Sequence, residues 1–229
     1  MRKYETVAIL GDTHFPFHHK ETVAAFIAHV RKNKPRRVVQ IGDLYDLYNW
    51  SRWPRSQSLM TPEDELRKAR SAGEKFWKDI RSAVPRAECL QVLGNHDDRI
   101  YKLVKNKVPE IADLLNFVDT HKKLWEFPGV QTAEDGRDEF IRDDVVYYHG
   151  SRTKLGDHVA FFKQNIVVGH SHQGGVIWQA TAKEPQFELN AGHSVDTKAP
   201  AFTYPDQKRT NWVRGFGVIE TDGPRFIAV

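Results

Sequence analysis

The stretch RRVVQIGDLYD, residues 36–46, sets the architecture. Two cations lead into an apolar run, Val38, Val39 and Ile41, that stops at Gly42 and Asp43. A short run rich in β-branched residues and closed by glycine reads as a buried strand. The same pattern occurs upstream in ETVAILGD (5–12) and downstream in AECLQVLGN (87–95). Between the first two runs, KETVAAFIAHVRKN (20–33) places Val23, Phe26, Ile27 and Val30 at helical spacing. Between the second and third, a helix is expected from about Pro62 to Ala83. Thr61 suits its N-cap, Pro62 its first position, and Glu63 and Asp64 the positive end of its dipole. Leu66, Ala69, Gly73, Phe76, Ile80 and Val84 trace its inner face. The order strand–helix–strand–helix–strand predicts parallel pairing with right-handed crossovers. Such sheets bind ligands at the carboxyl ends of their strands, and here all three strands end in glycine plus a polar, ligand-type residue.

Further along, residues 97–117 read as helix, broken near Pro109, and 121–143 have weak periodicity, as in a lid, an insertion or a hairpin. DVVYYHG (144–150) is a fourth strand with His149 at its end. A helix around 153–164 leads into NIVVGHSH (165–172), where His170 and His172 follow the strand. GVIWQATA, QFELNAG, RGFGVIET and PRFIAV are short β runs. One domain over 1–229 is the simplest organisation, with two sheets face to face and helices outside. Hydrophobic residues make up 40% and charged residues 28%, as in a soluble globular chain, and no apolar run approaches the ~20 residues of a membrane span. The basic start lacks the apolar region of a signal peptide. Cys89 is the one cysteine. It reads as a small buried hydrophobe in a protein of a reducing, cytoplasmic compartment. A net charge of +4 permits a polyanionic partner without demanding one. Eleven histidines are more telling, because imidazole is the commonest side-chain metal ligand.

Five strand ends carry candidate ligands: Asp12 and His14, Asp43, Asn95 with His96, His149, and His170 with His172. Each alone is an ordinary turn or a structural histidine; together they form a pattern. Asp12, His14, Asp43, Asn95, His149, His170 and His172 offer oxygen and nitrogen but no thiolate. They exceed the needs of one tetrahedral ion and suit two divalent ions sharing a carboxylate. Two such ions keep a positive centre after Asp12, Asp43 and a bridging hydroxide are counted, which favours a phosphate oxygen as guest. Ions ~3.5–4 Å apart clamp a phosphoester for in-line attack. His96 directly follows Asn95 and can stand at the rim as proton donor. The donor set suits Mn²⁺, the ion expected here, or Fe, Zn²⁺, Co²⁺ or Ni²⁺.

The ordered set GDTH, GDLYD, GNHDD, YYHG and GHSH, spanning residues 11–172, resembles the calcineurin-like metallophosphoesterases. The resemblance implies a four-layer αββα sandwich of two packed mixed sheets, with a dinuclear site at the strand C-terminal ends. It implies that Asp12, His14, Asp43 and His172 hold one ion, and that Asp43, as bridge, Asn95, His149 and His170 hold the other. A bridging hydroxide would attack, His96 would protonate the leaving oxygen, and Asp46 would orient His96. Protein phosphatases of this superfamily carry an arginine where Leu47 stands and a glutamate where Asp97 stands. Those departures argue against a phosphoprotein substrate. GHSH is similar instead to the phosphodiesterase and nuclease branches, including small bacterial and phage-encoded members.

The segment DLYNWSRWPRSQS (46–58) follows Asp43 and should overhang the site. Trp50, Trp53, Arg52 and Arg55 can stack bases and grip phosphates; alternatively the tryptophans pack on the next helix and the arginines are solvated. Arg99 is a further candidate phosphate contact. RKNKPRR (31–37) reads as a solvated turn at the opposite pole, His193 as a residue behind the ligands, and 206–215 as a loop over the site or a subunit contact. The expected function is hydrolysis of phosphodiesters, in DNA or RNA or in nucleotides, with no membrane partner, in the cytoplasm (the host's if phage-encoded). The alternative is a phosphomonoesterase acting on a small metabolite or phosphoprotein. A non-catalytic module of the same fold would have lost ligands, and this chain has them all.

Overall fold

Alternation along the first strand organises the molecule. In β1 (Val7–Leu10), Val7 and Ile9 join one apolar cluster while Ala8 and Leu10 join another, as a strand buried on both faces requires. In the computed structural model, which describes residues 3–52, 60–114, 121–133, 139–202 and 211–229, β1 pairs in parallel with β2 (Arg37–Ile41). β2 pairs in parallel with β3 (Glu88–Val92), and β3 with the two-residue β4 (Gln131–Thr132). On the other side of β1, β10 (Gly215–Glu220) and β11 (Gly223–Ala228) add antiparallel. This six-stranded sheet runs β11-β10-β1-β2-β3-β4.

The second sheet has β5 (Glu139–Arg142), β6 (Val145–Tyr148), β7 (Asn165–Val168), β8 (Gly175–Gln179) and β9 (Gln186–Asn190). Its order is β5-β6-β7-β9-β8. β6, β7 and β9 are parallel neighbours and both edges are antiparallel. Val39, Ile41, Leu90 and Val92 of the first sheet meet Val145, Tyr147, Val167, Phe187 and Leu189 of the second. The opposite face of the first sheet is covered by α1 (Lys20–Asn33) and α2 (Pro62–Ala83) through Phe26, Val30, Phe76, Trp77 and Ile80. Each such side chain contributes about 1.5–3 kcal/mol on burial. The outer helical layer on the second sheet is thin among the described residues. There α5 (Asp157–Phe162) brings Val159 and Phe162 against Val146, Ile166 and Val168.

α2 starts and stops where expected. Thr61 Oγ1 accepts from Asp64 N at 3.1 Å, with Pro62 in the first turn. Its inner face also holds two residues the periodicity did not single out. One is Trp77, whose Nε1 donates to Gln91 Oε1 at 2.8 Å. The other is Glu65, which is fully buried and accepts from Tyr48 N and, at 2.8 and 2.7 Å, from Asn49 N and Nδ2. The following helix breaks where the proline demands: α3 (Arg99–Lys107) gives way to α4 (Pro109–Leu114).

The described part of 121–143 is built into the body of the fold. Trp125 and Phe127 are buried in the helix-side core. Gln131–Thr132 edges one sheet, and Glu139–Arg142 forms a hairpin with β6 at the edge of the other. At the pole away from the strand C-termini, Arg31, Lys32, Asn33, Lys34 and Arg36 are exposed, in keeping with a solvated stretch, but Arg37 at its end is buried. Its Nε lies 2.6 Å from Glu88 Oε2 and its Nη1 3.0 Å from Asp143 Oδ2, so it ties β2 and β3 to the β5–β6 turn. No described helix is long and apolar enough to cross a membrane.

Candidate metal centre

The carboxyl ends of β1, β2, β3, β6 and β7 converge at one pole. There Asp12, His14, Asp43, His149 and His172 are all buried. Asp12 Oδ1 lies 2.9 Å from His172 Nε2. Asp43 Oδ2 stands between His149 Nε2, at 3.3 Å, and His14 Nε2, at 3.6 Å, the position of a shared ligand. Asn95 Oδ1 lies 2.8 Å from His170 Nδ1 and 3.3 Å from His149 Nε2. All seven residues read from the sequence as ligands therefore meet. Asp12, His14, Asp43 and His172 form the closed side, and the exposed Asn95 and half-buried His170 form the open side.

Local backbone explains how short strands deliver so many groups inward. Asp12, His14, Asp43, His170 and His172 adopt left-handed backbone, with φ of 49, 50, 51, 63 and 61°. Outside glycine this conformation costs about 1–2 kcal/mol, and Asp and His tolerate it better than most residues. Neighbouring glycines keep the space clear. A Cβ on Gly94 would stand 2.1 Å from Asp43 Oδ1, and one on Gly169 would stand 2.4 Å from Asp12 Oδ2. Asp97, known from the sequence only as a departure, is fully buried. It accepts from Gly94 N at 2.8 Å and Tyr45 N at 3.0 Å, locking the β2 and β3 end loops together.

Three overlapping triads can each hold a cation: Asp12, His14 and His172; His14, Asp43 and His96; and Asp12, Asp43 and His149. The surroundings fit that occupant. His14 Nε2 is buried without a hydrogen-bond partner and faces Asp12 and Asp43, a costly arrangement unless something coordinates it. His149 Nδ1 donates to Ile41 O at 2.8 Å, which leaves Nε2 for the centre. Burial alone would lower the His149 pKa, but the Asp43 and Asp12 carboxylates push it up to about 10. Burial would likewise raise Asp43, but the charges of His149 and His96 hold it well below the usual carboxylate range. The pole thus demands positive charge.

Beside the ligands, His96 Nδ1 meets Asp46 Oδ1 at 3.1 Å and Nε2 faces Asp43 Oδ2 at 4.0 Å. Arg99 Nη2 donates to His96 Nε2 at 2.9 Å, and Nη1 donates to Asp46 O at 2.8 Å. The loop read as an overhang is only partly brought here. Trp50 packs against the helix-side core, the packing alternative. Arg52 is exposed, and Trp53 and Arg55 lie outside the described residues. What the sequence did not reveal is an aromatic wall. Trp212 packs on His172 with ring centroids 4.1 Å apart, and Phe202 on His14 at 5.3 Å. The buried His193 lies 5.3 Å from His172, and burial, then the His172 charge, lowers its pKa to about 3. Trp212 sits within the 206–215 stretch, which gave an aromatic signal but no register.

Two stacked mixed sheets with paired His, Asp and Asn ligands at one pole describe a binuclear metallohydrolase. The sequence model of the calcineurin-like phosphoesterases matches residues 5–196, and the chain belongs to that family. It is accordingly a metal-dependent phosphoester hydrolase, and family and residue clusters together point to a dinuclear divalent-metal site. The chain is 24% identical over 239 aligned residues to the Gene 54 protein of Mycobacterium phage D29, covering 95% of this chain and 89% of that one. It is 23% identical to the Gene 54 protein of Mycobacterium phage L5, with the same coverages. Among solved structures, a dimetal phosphatase from Danio rerio is similar in fold, with a TM-score of 0.50, 12% identity, and coverage of 97% of this chain and 96% of that one.

Proposed function

We propose that the protein hydrolyses phosphodiesters, in nucleic acid or a nucleotide, with Mn²⁺ as the ion of choice. The observation that carries this reading is the half-buried Trp212 on His172, an aromatic wall backed by the buried Phe202 on His14. A bare phosphate gains nothing from such a wall, whereas the nucleoside arm of a diester can stack there. The mixed oxygen and nitrogen donor set, without thiolate, supports Mn²⁺. The lone buried Cys89 and the phage relatives fit a reducing host cytoplasm.

When bound, two divalent ions would supply an activated water and neutralise the phosphoryl oxygens. Asp12, His14, Asp43 and His172 would hold one; Asp43, Asn95, His149 and His170 the other. His96 would deliver a proton to the leaving oxygen from Nε2 once the guanidinium of Arg99, which faces that nitrogen at 2.9 Å, has turned to the phosphoryl group. Asp46 holds its Nδ1 and thereby fixes the ring. Arg99, anchored on Asp46 O, presents its guanidinium beside His96 and binds a phosphoryl oxygen.

The deciding experiment compares bis-p-nitrophenyl phosphate with p-nitrophenyl phosphate in Mn²⁺, followed by DNA and RNA. Turnover of the diester is expected. Turnover of the monoester alone would assign the phosphomonoesterase alternative.

A further inference from the structure

Arg214 is a cation that no carboxylate neutralises among the described residues. Its side-chain hydrogen-bond partner is an imidazole, with Nη1 3.3 Å from His19 Nε2. Its Nε is buried with no acceptor. The exposed Glu21 meets the same imidazole nitrogen, its Oε2 3.2 Å from His19 Nε2, but forms no ion pair with Arg214. A guanidinium so placed invites an anion, and its planar fork matches a phosphate.

Backbone pairing puts this cation beside the metal ligands. Val213 N donates to His172 O at 2.8 Å, His193 N to Val213 O at 3.3 Å, and Gly215 N to His193 O at 3.1 Å. Residues 212–214 therefore run extended along the segments that carry His172 and His193. In extended chain, alternate side chains share a side, so Trp212 and Arg214 project together about 6.6 Å apart. On the far flank, His19 N donates to Ser194 O at 2.7 Å and Ser194 N to Asp12 O at 3.0 Å, which anchors His19 to the same ligand framework. Trp212, packed on His172, is thus the side chain that adjoins Arg214 on the ligand side.

We propose that Arg214, with His19 beside it, binds a second phosphate of the substrate, one nucleoside away from the phosphate at the metal ligands, with that nucleoside lying along Trp212. This rests on the nucleotide reading of the site and narrows it to substrates with phosphates on both sides of a nucleoside, as in a polynucleotide.

Calorimetric titration of the Mn²⁺-loaded protein with thymidine 3′,5′-bisphosphate and with the 3′- and 5′-monophosphates tests it without turnover. The bisphosphate should bind about tenfold tighter than either monophosphate, the gain of one charge-assisted contact. Arg214→Gln should reduce that preference to within about twofold. Arg214→Lys, which keeps the charge and loses the fork, should reduce it at least threefold and serves if the glutamine variant does not fold. Equal binding of the three nucleotides by the wild type, or a preference unchanged in the folded variants, would overturn the proposal. The chromogenic ester comparison judges the diesterase reading independently.

Discussion

Asp46 Oδ1 lies 3.1 Å from Nδ1 of His96 and turns Nε2 of that ring toward the ligands. The same oxygen lies 2.8 Å from His14 Nδ1. One carboxylate thus orients both His96, the proposed proton donor, and His14, a proposed metal ligand. Asp46→Ala should lower kcat about 10–100-fold, with a smaller change in KM. Steady-state rates on bis-p-nitrophenyl phosphate check this, and a wild-type kcat would detach Asp46 from His96.

Gly94 has no room for a side chain, since its Cβ would stand 2.1 Å from Asp43 Oδ1. Gly94→Ala must displace the shared carboxylate or the β3 end loop. A loss of about 1–3 kcal/mol in stability and at least about tenfold in Mn²⁺ affinity is expected. Urea unfolding and metal titration read the two effects separately, and unchanged metal affinity would refute the geometry.

Buried Asp12 and Asp43 face each other's histidines across a pole built for cations. An ion that binds only the folded chain at a hundred to a thousand times its Kd stabilises it by about 2.7–4.1 kcal/mol. Chelation should lower Tm by about 5–15 °C, given the usual 2–4 °C per kcal/mol at this size. Scanning calorimetry with and without chelator measures the shift; equal melting temperatures would contradict it.

Glu65 holds the turn after Asp46 by accepting from Tyr48 N, Asn49 N and Asn49 Nδ2. Glu65→Ala leaves those donors without their acceptor and opens a gap under the turn. A loss of about 2–4 kcal/mol is expected, with a fall in kcat as Asp46 loses its footing. Chemical denaturation and kinetics on one preparation test both; a stability within about 0.5 kcal/mol of wild type would refute it.

Burial would raise the Glu88 pKa, but hydrogen bonds from Arg142 and Arg37 bring it below the ordinary glutamate range. A carboxyl depressed on folding adds stability above its unfolded pKa and loses it as pH falls through the folded value. Glu88→Gln should therefore flatten the decline of stability below about pH 4.5. A pH series of melting temperatures shows this; parallel acid limbs for the two proteins would deny Glu88 the role.

The gathering of the candidate ligands at one pole was legible because they sit where chain grammar is simplest, just past glycine at the ends of short apolar strands. Asp43 and His172 could be read without knowing the register, since the carboxyl end of a parallel sheet is one place. The aromatic wall was not legible. Trp212 reaches His172 only through backbone bonds between an irregular segment and the β7 end, and no periodicity encodes that pairing. Trp50 carried the composition of a base-stacking loop yet packs inward, because the turn that bears it is bound down on Glu65. β4 was hidden by its length, as two residues carry no alternation. Arg37 looked like part of a basic surface, and only the approach of Glu88 from β3 and Asp143 from the β5–β6 turn makes it an internal tie.

The left-handed backbone at Asp12, His14, Asp43, His170 and His172 has a further consequence. Asp, Asn and His are the non-glycine residues that accept this conformation most readily, and all three can bind a divalent ion. Substitution of one of these for another would therefore keep the chain's path and a metal-binding side chain together. Valine, isoleucine or threonine there would be rejected on conformational grounds alone. The backbone itself thereby acts as a filter on the alphabet of the site, favouring the side chains that can bind a divalent ion.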